Sequence, residues 1–143
     1  MSGFVEVKTS ELAGKALDWA TFCAIYPDMQ PIIKITESTT KLLFKGAAKS
    51  ATFPRSARLA RMGLYGIEID WCPSGDWDCG GELIERFKVM ITYHNGLDRT
   101  PLATTDAMHP AFEAGETILI AACRAIIASV LGDTVSVPKE LLS

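Results

Sequence analysis

The stretch from Pro73 to Arg86 holds the densest set of side chains able to bind a ligand or a partner. It reads PSGDWDCGGELIER and combines glycines, carboxylates, a tryptophan and an arginine. Glycine lets the backbone approach a ligand closely, and an indole can stack on a flat ring. We interpret residues 73–82 as a loop that serves either as a binding site or as a structural turn before a strand. The candidate binding residues of the stretch are Asp76, Trp77, Gly80, Gly81, Glu85 and Arg86.

Carboxylates in the same stretch raise the question of a metal. Asp76 and Asp78 form an Asp-x-Asp pair of hard oxygen ligands, with Glu82 and Glu85 following. The complete calcium-loop pattern is absent, so solvated loop charges are the preferred interpretation and no metal or other cofactor is expected.

Signatures of enzymatic chemistry are otherwise missing from the sequence. His94 and His109 are the only histidines, and neither has the spacing of a metal ligand or of a catalytic triad. Phosphate-binding and metalloprotease motifs are absent as well. The sequence therefore disfavours an enzyme, and a metal-dependent hydrolase is kept only as a second alternative.

Basic residues are concentrated in one segment of an acidic protein. Between Ser38 and Ile67 the chain has no acidic residue, and its basic residues are Lys41, Lys45, Lys49, Arg55, Arg58 and Arg61. The rest of the chain carries eight basic and seventeen acidic residues. Such a segment can bind a phosphate-bearing ligand, an acidic protein face or a second copy of the chain. Aromatic residues are few in it, so nucleic acid is not an expected partner.

Two features of the arginines complete the candidate set. Arg55, Arg58 and Arg61 have the spacing that would place them on one face of a helix, as a binding or a solvated face. Arg124 lies inside an apolar helical pattern, where a charge needs a carboxylate, a ligand anion or a route to water. Intramolecular pairing or a route to water is favoured over a ligand.

The segment Gly115–Gly132 is the clearest structural element, a buried helix that Gly132 ends in a left-handed cap. The alternation Val5–Lys8 predicts a strand, followed by a helix that begins at Thr9 or Ser10 and continues to about Tyr26. Further strands are predicted at Ile32–Thr36 and Lys41–Lys45 as a hairpin, at Leu64–Trp71, within Leu83–His94 and at Val135–Val137. Residues 46–63 fit either a short helix or an ordered loop, and residues 97–114 are predicted to be mostly loop.

This order of elements predicts an α+β fold, with a mostly antiparallel sheet packed against two main helices, one near each end of the chain. A length of 143 residues without a linker predicts a single domain over residues 1–143. Neither a leader nor a membrane span is expected, because the longest apolar run, Ile118–Leu131, is short and contains Arg124. The expected location is the cytoplasm.

Three stretches together resemble the NinX-like proteins of bacteriophages and prophages. They are residues 7–20, VKTSELAGKALDWA, residues 73–86, and residues 117–133, TILIAACRAIIASVLGD, followed by residues 135–141. In the second stretch Trp77, Gly80, Gly81, Glu85 and Arg86 match the family pattern, which usually has Ala-Gln in place of Asp78-Cys79. The resemblance implies a phage accessory protein of unknown activity that acts in the cytoplasm of a bacterial host.

The leading functional hypothesis is a non-enzymatic protein that binds a host component, such as a protein of host defence, and that can form a homo-oligomer. The first alternative is a binder of a small phosphate-bearing ligand, for example a nucleotide, at residues 73–86. The second is the metal-dependent hydrolase.

Overall fold

The computed structural model describes residues 3–26, 32–44, 47–62, 64–93, 100–105 and 111–142. It describes the side chains in these ranges except those of 34–44, 47–58, 64 and 140. The α-helices are α1 (Gly14–Ile25), α2 (Trp77–Arg86) and α3 (Ile118–Leu131). The strands are β1 (Phe4–Lys8), β2 (Ile32–Phe44), β3 (Ala47–Met62), β4 (Glu68–Asp70), β5 (Met90–Tyr93), β6 (Pro101–Thr104), β7 (Phe112–Ala114) and β8 (Thr134–Pro138).

The described strands form three antiparallel sheets rather than one. β1 pairs with β8, β2 to β4 form a second sheet in chain order, and β5 to β7 form a third in chain order. Antiparallel sheets with separate helices confirm the predicted α+β class. The prediction of two main helices was incomplete, because α2 lies between them in the chain.

Helix α3 occupies the centre of the hydrophobic core. It packs against α1 on one side and against β6 and β7 on another. Its fully buried residues include Ala121, Ala125, Ile126 and Ile127. The alanines have small side chains, which allow neighbouring elements to approach the helix closely. The helix ends at Gly132, whose φ of +94° is a conformation that favours glycine.

Arg124 is the one charged residue of α3, and its guanidinium binds backbone oxygens. Its Nε donates to the carbonyl of Leu12 at 2.9 Å, and its Nη1 donates to the carbonyl of Ala114 at 2.9 Å. These two carbonyls belong to the segment before α1 and to the end of β7. The charge therefore joins three parts of the fold and needs no carboxylate partner.

Helix α1 begins at Gly14, later than the predicted start at Thr9 or Ser10. Residues Thr9–Glu11 form a separate 3₁₀ turn. The buried Thr9 donates through its N–H to the carbonyl of Asp133 at 2.8 Å and through Oγ1 to that of Gly132 at 2.6 Å. Because these bonds hold Thr9 at the end of α3, it does not cap α1.

The region from Ile32 to Met62 differs most from its prediction. A continuous strand β2 replaces the two short strands with a link, and β3 replaces the helix or loop expected at 46–63. Thr36 pairs with Ser56 and Ser38 with Phe53, so two residues of β3 face one residue of β2 between these pairs. Pro54 is at this bulge, which a strand uses to accommodate a residue without an N–H donor.

Two other predictions need correction, and some fall outside the described residues. The segment Leu64–Trp71 contains a 3₁₀ turn at Leu64–Gly66 and only the three-residue strand β4. The region predicted as mostly loop, 97–114, contains β6 and β7. Lys45, His94 and His109 lie outside the described residues. None of the described helices is long and apolar enough to cross a membrane.

Substitution of Arg124 by methionine tests its role in the fold. Arg124→Met keeps much of the aliphatic volume but removes the donors to the carbonyls of Leu12 and Ala114. We expect the free energy of unfolding in urea to fall by about 1–3 kcal/mol. Lys139→Met is the control on an exposed cation outside α3, for which we expect a change within about 0.5 kcal/mol. Equal losses in the two variants would contradict this role.

Candidate functional site

Helix α2 begins inside the stretch that the sequence predicted to be a loop. Asp76 caps it, since its Oδ1 accepts from the N–H of Asp78 at 3.0 Å and its carbonyl accepts from Gly80 N–H at 2.7 Å. A carboxylate is a favourable cap and suits the positive end of the helix dipole. Arg86 lies in the last turn, at the negative end. The glycine-rich segment therefore forms a helix and not an open ligand-binding loop.

Gly80 is required by packing rather than by a ligand. A methyl group there would collide with the carbonyl oxygen of Pro73 and would lie 2.8 Å from Cδ2 of Leu119 in α3. At Gly81 the nearest atom to an added methyl would be Cε3 of Trp77 at 3.6 Å, an ordinary contact. The two adjacent glycines thus differ in role, because only Gly80 brings α2 against α3.

A buried carboxyl group on α1 fixes the turn that precedes α2. Asp18 is 4% exposed, and its Oδ1 accepts from the N–H of Ser74 at 2.9 Å. Its carbonyl oxygen accepts from Nε1 of Trp71 at 2.7 Å. Burial raises the pKa of Asp18 to about 6, although hydrogen bonds from Ser74 favour the charged form. Asp18 therefore links α1 to the start and the middle of the segment that leads from β4 into α2.

A cleft of about 350 Å³ lies between α2, the β3–β4 hairpin and the end of α1, and we call it the α2 cleft. Strands and α1 contribute Tyr26, Arg61, Ile69, Asp70 and Trp71 to its lining, and the α2 region contributes Asp76, Asp78, Cys79, Glu82, Leu83 and Arg86. The spacing of the α2 residues places them on one face of the helix, because residues three and four apart are neighbours.

The α2 cleft has mixed charge with an acidic excess. Its lining has four carboxylates, those of Asp70, Asp76, Asp78 and Glu82, and two guanidinium groups. Arg86 places its Cζ 6.0 Å from the ring centre of Tyr26 and 5.6 Å from that of Phe87, within the range of cation–π contacts. The guanidinium is thus held over aromatic rings while it remains exposed.

Thiols beside the cleft are held in the protonated form. Partial burial raises the pKa of Cys79 to about 11, and burial together with nearby carboxylates, Asp76 first among them, raises that of Cys72. A protonated thiol is a poor nucleophile and a poor metal ligand. In the ranges that the structure describes, no three His, Cys, Asp or Glu side chains are arranged to hold a metal ion.

Residues 8–130 match the protein family described as Bacteriophage P22, NinX. The chain belongs to this family. It is accordingly a phage accessory protein. No curated protein matches the chain at a significant level.

The candidate residues of this NinX family member separate into distinct places. Arg61, Asp76 and Arg86 meet in the α2 cleft. Trp77, Gly81 and Glu85 are spaced four residues apart and form a ridge of α2 that contributes no residue to the cleft lining, and Trp77 is 58% exposed. Four candidates remain outside these groups: Gly80 is buried under α3, Arg124 is elsewhere, and Arg55 and Arg58 are in β3, where their side chains are not described.

The arginine spacing that suggested a helical face has another meaning in a strand. Strand side chains alternate with a period of two, so residues three apart lie on opposite faces. Arg61 lines the α2 cleft. Arg58 is three residues earlier in β3 and therefore occupies a position on the opposite face of the strand. The hypothesis of one arginine face across Arg55, Arg58 and Arg61 is therefore wrong.

Arg124 borders a second hollow of about 510 Å³ on the far side of α3. Its lining includes Ser10, Thr100, Glu113 and Glu116. Burial raises the pKa of Glu113, while the nearby Arg124 opposes this effect. Two of the guanidinium nitrogens are already bound to backbone carbonyls, so Arg124 acts first as a structural link here.

Sequence reasoning missed Tyr26, Ile69, Asp70 and Trp71 as lining residues of the α2 cleft. Each belongs to an element other than α2, and only the tertiary fold brings them to it. One signal was available for Tyr26, which is the aromatic residue at the predicted end of α1 in front of Pro27.

Alanine substitutions at the two adjacent glycines separate packing from helix propensity. Gly80→Ala should lower the free energy of unfolding by about 1–3 kcal/mol, because the methyl group forces α2 away from Pro73 and Leu119. Gly81→Ala should raise it by about 0.5–1 kcal/mol, because alanine restricts the unfolded chain and is the better helix former. Urea unfolding followed by circular dichroism measures both. Similar effects of the two substitutions would show that Gly80 does not set the α2–α3 contact.

The raised pKa of Asp18 predicts a specific pH dependence of stability. Between the ordinary value of 3.8 and about 6 the folded protein retains a proton that the unfolded chain has lost. The stabilisation by this proton is therefore complete below pH 3.8 and is lost as the pH rises through 6. Asp18→Asn removes it. From pH 4 to pH 7.5, the stability of the variant relative to the original should rise by about 2.4 kcal/mol in urea unfolding. A difference that does not change with pH would refute the raised pKa.

Proposed function

We propose that this phage accessory protein is a non-enzymatic binder of a host protein, and that it binds through the α2 cleft and the adjoining ridge of α2. The observation that carries the proposal is the α2 cleft itself, which combines Tyr26 with two arginines, Arg61 and Arg86. Tryptophan, tyrosine and arginine are the residues that dominate binding energy in protein interfaces.

Exposed apolar side chains around the α2 cleft support a protein partner. Trp77 lies between two lining residues of the cleft in the chain and is 58% exposed. On the strand side, Ile69 is 42% exposed and Met62 is 52% exposed. Burying these side chains against a partner would add apolar area to the polar contacts of the cleft, and each would contribute in proportion to the area removed from water.

The charge of the α2 cleft supports a protein over a phosphate-bearing ligand. A phosphate would meet four carboxylates together with the two guanidinium groups. A basic side chain of a partner would be attracted by those carboxylates and could stack on the ring of Tyr26. A volume of about 350 Å³ is also close to the lower limit of small-molecule pockets. We therefore place a nucleotide second.

The arrangement of Asp76 supports binding over hydrolysis. One of its carboxylate oxygens caps α2, and the other lies 3.9 Å from Sγ of Cys72, which donates to it. A carboxylate engaged in this way has limited freedom to bind a metal or to activate water. The neighbouring thiols are protonated at neutral pH, as their raised pKa values require.

A comparative pull-down from a bacterial host lysate tests the proposal. The bait protein should retain a specific host protein at physiological salt. Trp77→Ala and Arg86→Ala should each reduce the retained amount at least about tenfold, because truncating a central aromatic or arginine anchor costs about 2 kcal/mol or more.

Phe112→Ala provides the matched control, since Phe112 is an aromatic side chain 74% exposed on β7, in another sheet. It should leave retention unchanged. Retention of no protein, or equal loss with Phe112→Ala, would reject the proposal. A rise in melting temperature with a nucleotide, abolished by Arg86→Ala, would instead support the small-ligand alternative.

A further inference from the structure

Strands β2 and β3 form a long two-stranded ribbon with little support from the rest of the fold. Their ladder runs from the pair Ile32–Ala60 to the pair Phe44–Ala47. β4 pairs with β3 only at Ala60–Met62, so both edges of the ribbon are unpaired over most of its described length. Among the elements that the structure describes, β4 and α1 make the substantial contacts with the ribbon, and α1 makes them with β3. An isolated two-stranded ribbon is marginally stable in water, so contacts with a ligand along its unpaired part would stabilise it.

The composition of the ribbon suits a phosphate backbone. Its described residues include six lysines and arginines, at 34, 41, 49, 55, 58 and 61, against the single acidic residue Glu37. It also has seven hydroxyl residues: Thr36, Ser38, Thr39, Thr40, Ser50, Thr52 and Ser56. Lysine, arginine, serine and threonine are the usual donors to phosphate oxygens in protein–nucleic acid complexes.

The strand register divides these residues between two faces. Ile33 and Leu59 are paired, and both pack on the hydrophobic core. The next pair, Lys34 and Arg58, is therefore on the opposite face, which we call the outer face of the ribbon. Two cations at directly opposed positions repel each other, which is destabilising unless an anion lies near them.

Residues that can donate hydrogen bonds to phosphate continue the outer face along the ribbon. The pair Thr36–Ser56 follows Lys34–Arg58, and the bulge lies wholly on β3, so the alternation of β2 is unchanged beyond it. The same face therefore includes Ser38, Thr40 and Leu42 of β2. Lys49 is paired with Leu42 and so occupies this face as well. Acidic residues occur only at the foot of this face, where β4 places Asp70 beside Ala60 and Glu68 beside Met62. Glu37 lies on the other face.

From this arrangement we propose that the outer face of the β2–β3 ribbon binds the phosphate backbone of duplex DNA. A two-stranded ribbon fits the major groove of B-form DNA, whereas the major groove of an RNA duplex is too narrow. Single strands are bound chiefly by stacking on aromatic rings, and the described ribbon has only Phe44 and Phe53. Backbone contacts need no aromatic residues, so their scarcity is no objection to a duplex.

The acidic charge of the rest of the chain limits DNA contact to the ribbon. The whole protein carries 14 basic and 17 acidic residues, so the chain outside the described ribbon has 8 basic and 16 acidic ones. An acidic body is repelled by DNA while the ribbon is attracted. The same acidic body could attract the ribbon of a second copy of this chain, which is the competing occupant. The hydroxyl residues favour DNA, because the backbone of a duplex presents phosphate oxygens as hydrogen-bond acceptors at regular intervals. The carboxylates of a protein surface are spaced less regularly.

Fluorescence anisotropy with a labelled 25-base-pair DNA duplex tests the proposal on the full chain. The protein should bind, and its affinity should fall as salt is raised from 50 to 200 mM. Lys34→Gln/Lys49→Gln removes two outer-face cations and should weaken binding at least about tenfold while reducing the salt slope by about 1.8. The control Lys41→Gln/Lys139→Gln makes the same change of charge on the other ribbon face and on the body, and should stay within about twofold.

A lack of binding at 50 mM salt, or equal weakening by both double variants, would overturn the proposal. Tighter binding to an RNA duplex or to single-stranded DNA of the same sequence would overturn the choice of duplex DNA. Sedimentation of the protein alone gives the remaining outcome: a dimer that Lys34→Gln/Lys49→Gln dissociates would assign the ribbon to a second copy. Should the double variant unfold, Lys49→Gln alone is tested, and it should also weaken DNA binding.

Discussion

Helix α3 is covered by α1 on one side and by β6 and β7 on another, and this burial determines where the other elements can lie. The end of the helix at Gly132 holds Thr9 and thereby the β1–β8 pair. Near its start, Leu119 packs against Gly80 and thereby sets the position of α2. The geometry of the α2 cleft therefore depends on a helix that contributes no residue to its lining.

The elements that sequence could predict are those whose pattern is complete within a few residues. Helix α3 and the terminal strands β1 and β8 were predicted within a few residues, because their periodicity and the final glycine are local signals. Helix α2 was missed because Gly80 and Gly81 indicate a loop by propensity, whereas packing on α3 favours the helix at Gly80. Strand β3 was missed because Pro54 argues against a strand, and only the pairing with β2 shows the bulge that accommodates it.

The candidate site could be predicted in part, for the same reason. Asp76 and Arg86 were identified because they lie in one dense stretch, and Arg61 because it belongs to a basic segment. Their meeting in one cleft with Tyr26 required contacts between residues far apart in the chain, which no local pattern contains. Trp77 was named as a candidate, but its place on a ridge of α2 is visible only once the segment is known to be a helix.

Arg61 connects the two surfaces, since it belongs to β3 and also lines the α2 cleft. Glu68 and Asp70 flank Ile69, the strand partner of Arg61, so acidic residues adjoin the foot of the basic ribbon. Opposite potentials side by side repel a polyanion from the cleft and a basic protein segment from the ribbon. The two proposed surfaces, one basic and one with an acidic excess, therefore lie side by side on one small fold, and Arg61 belongs to both.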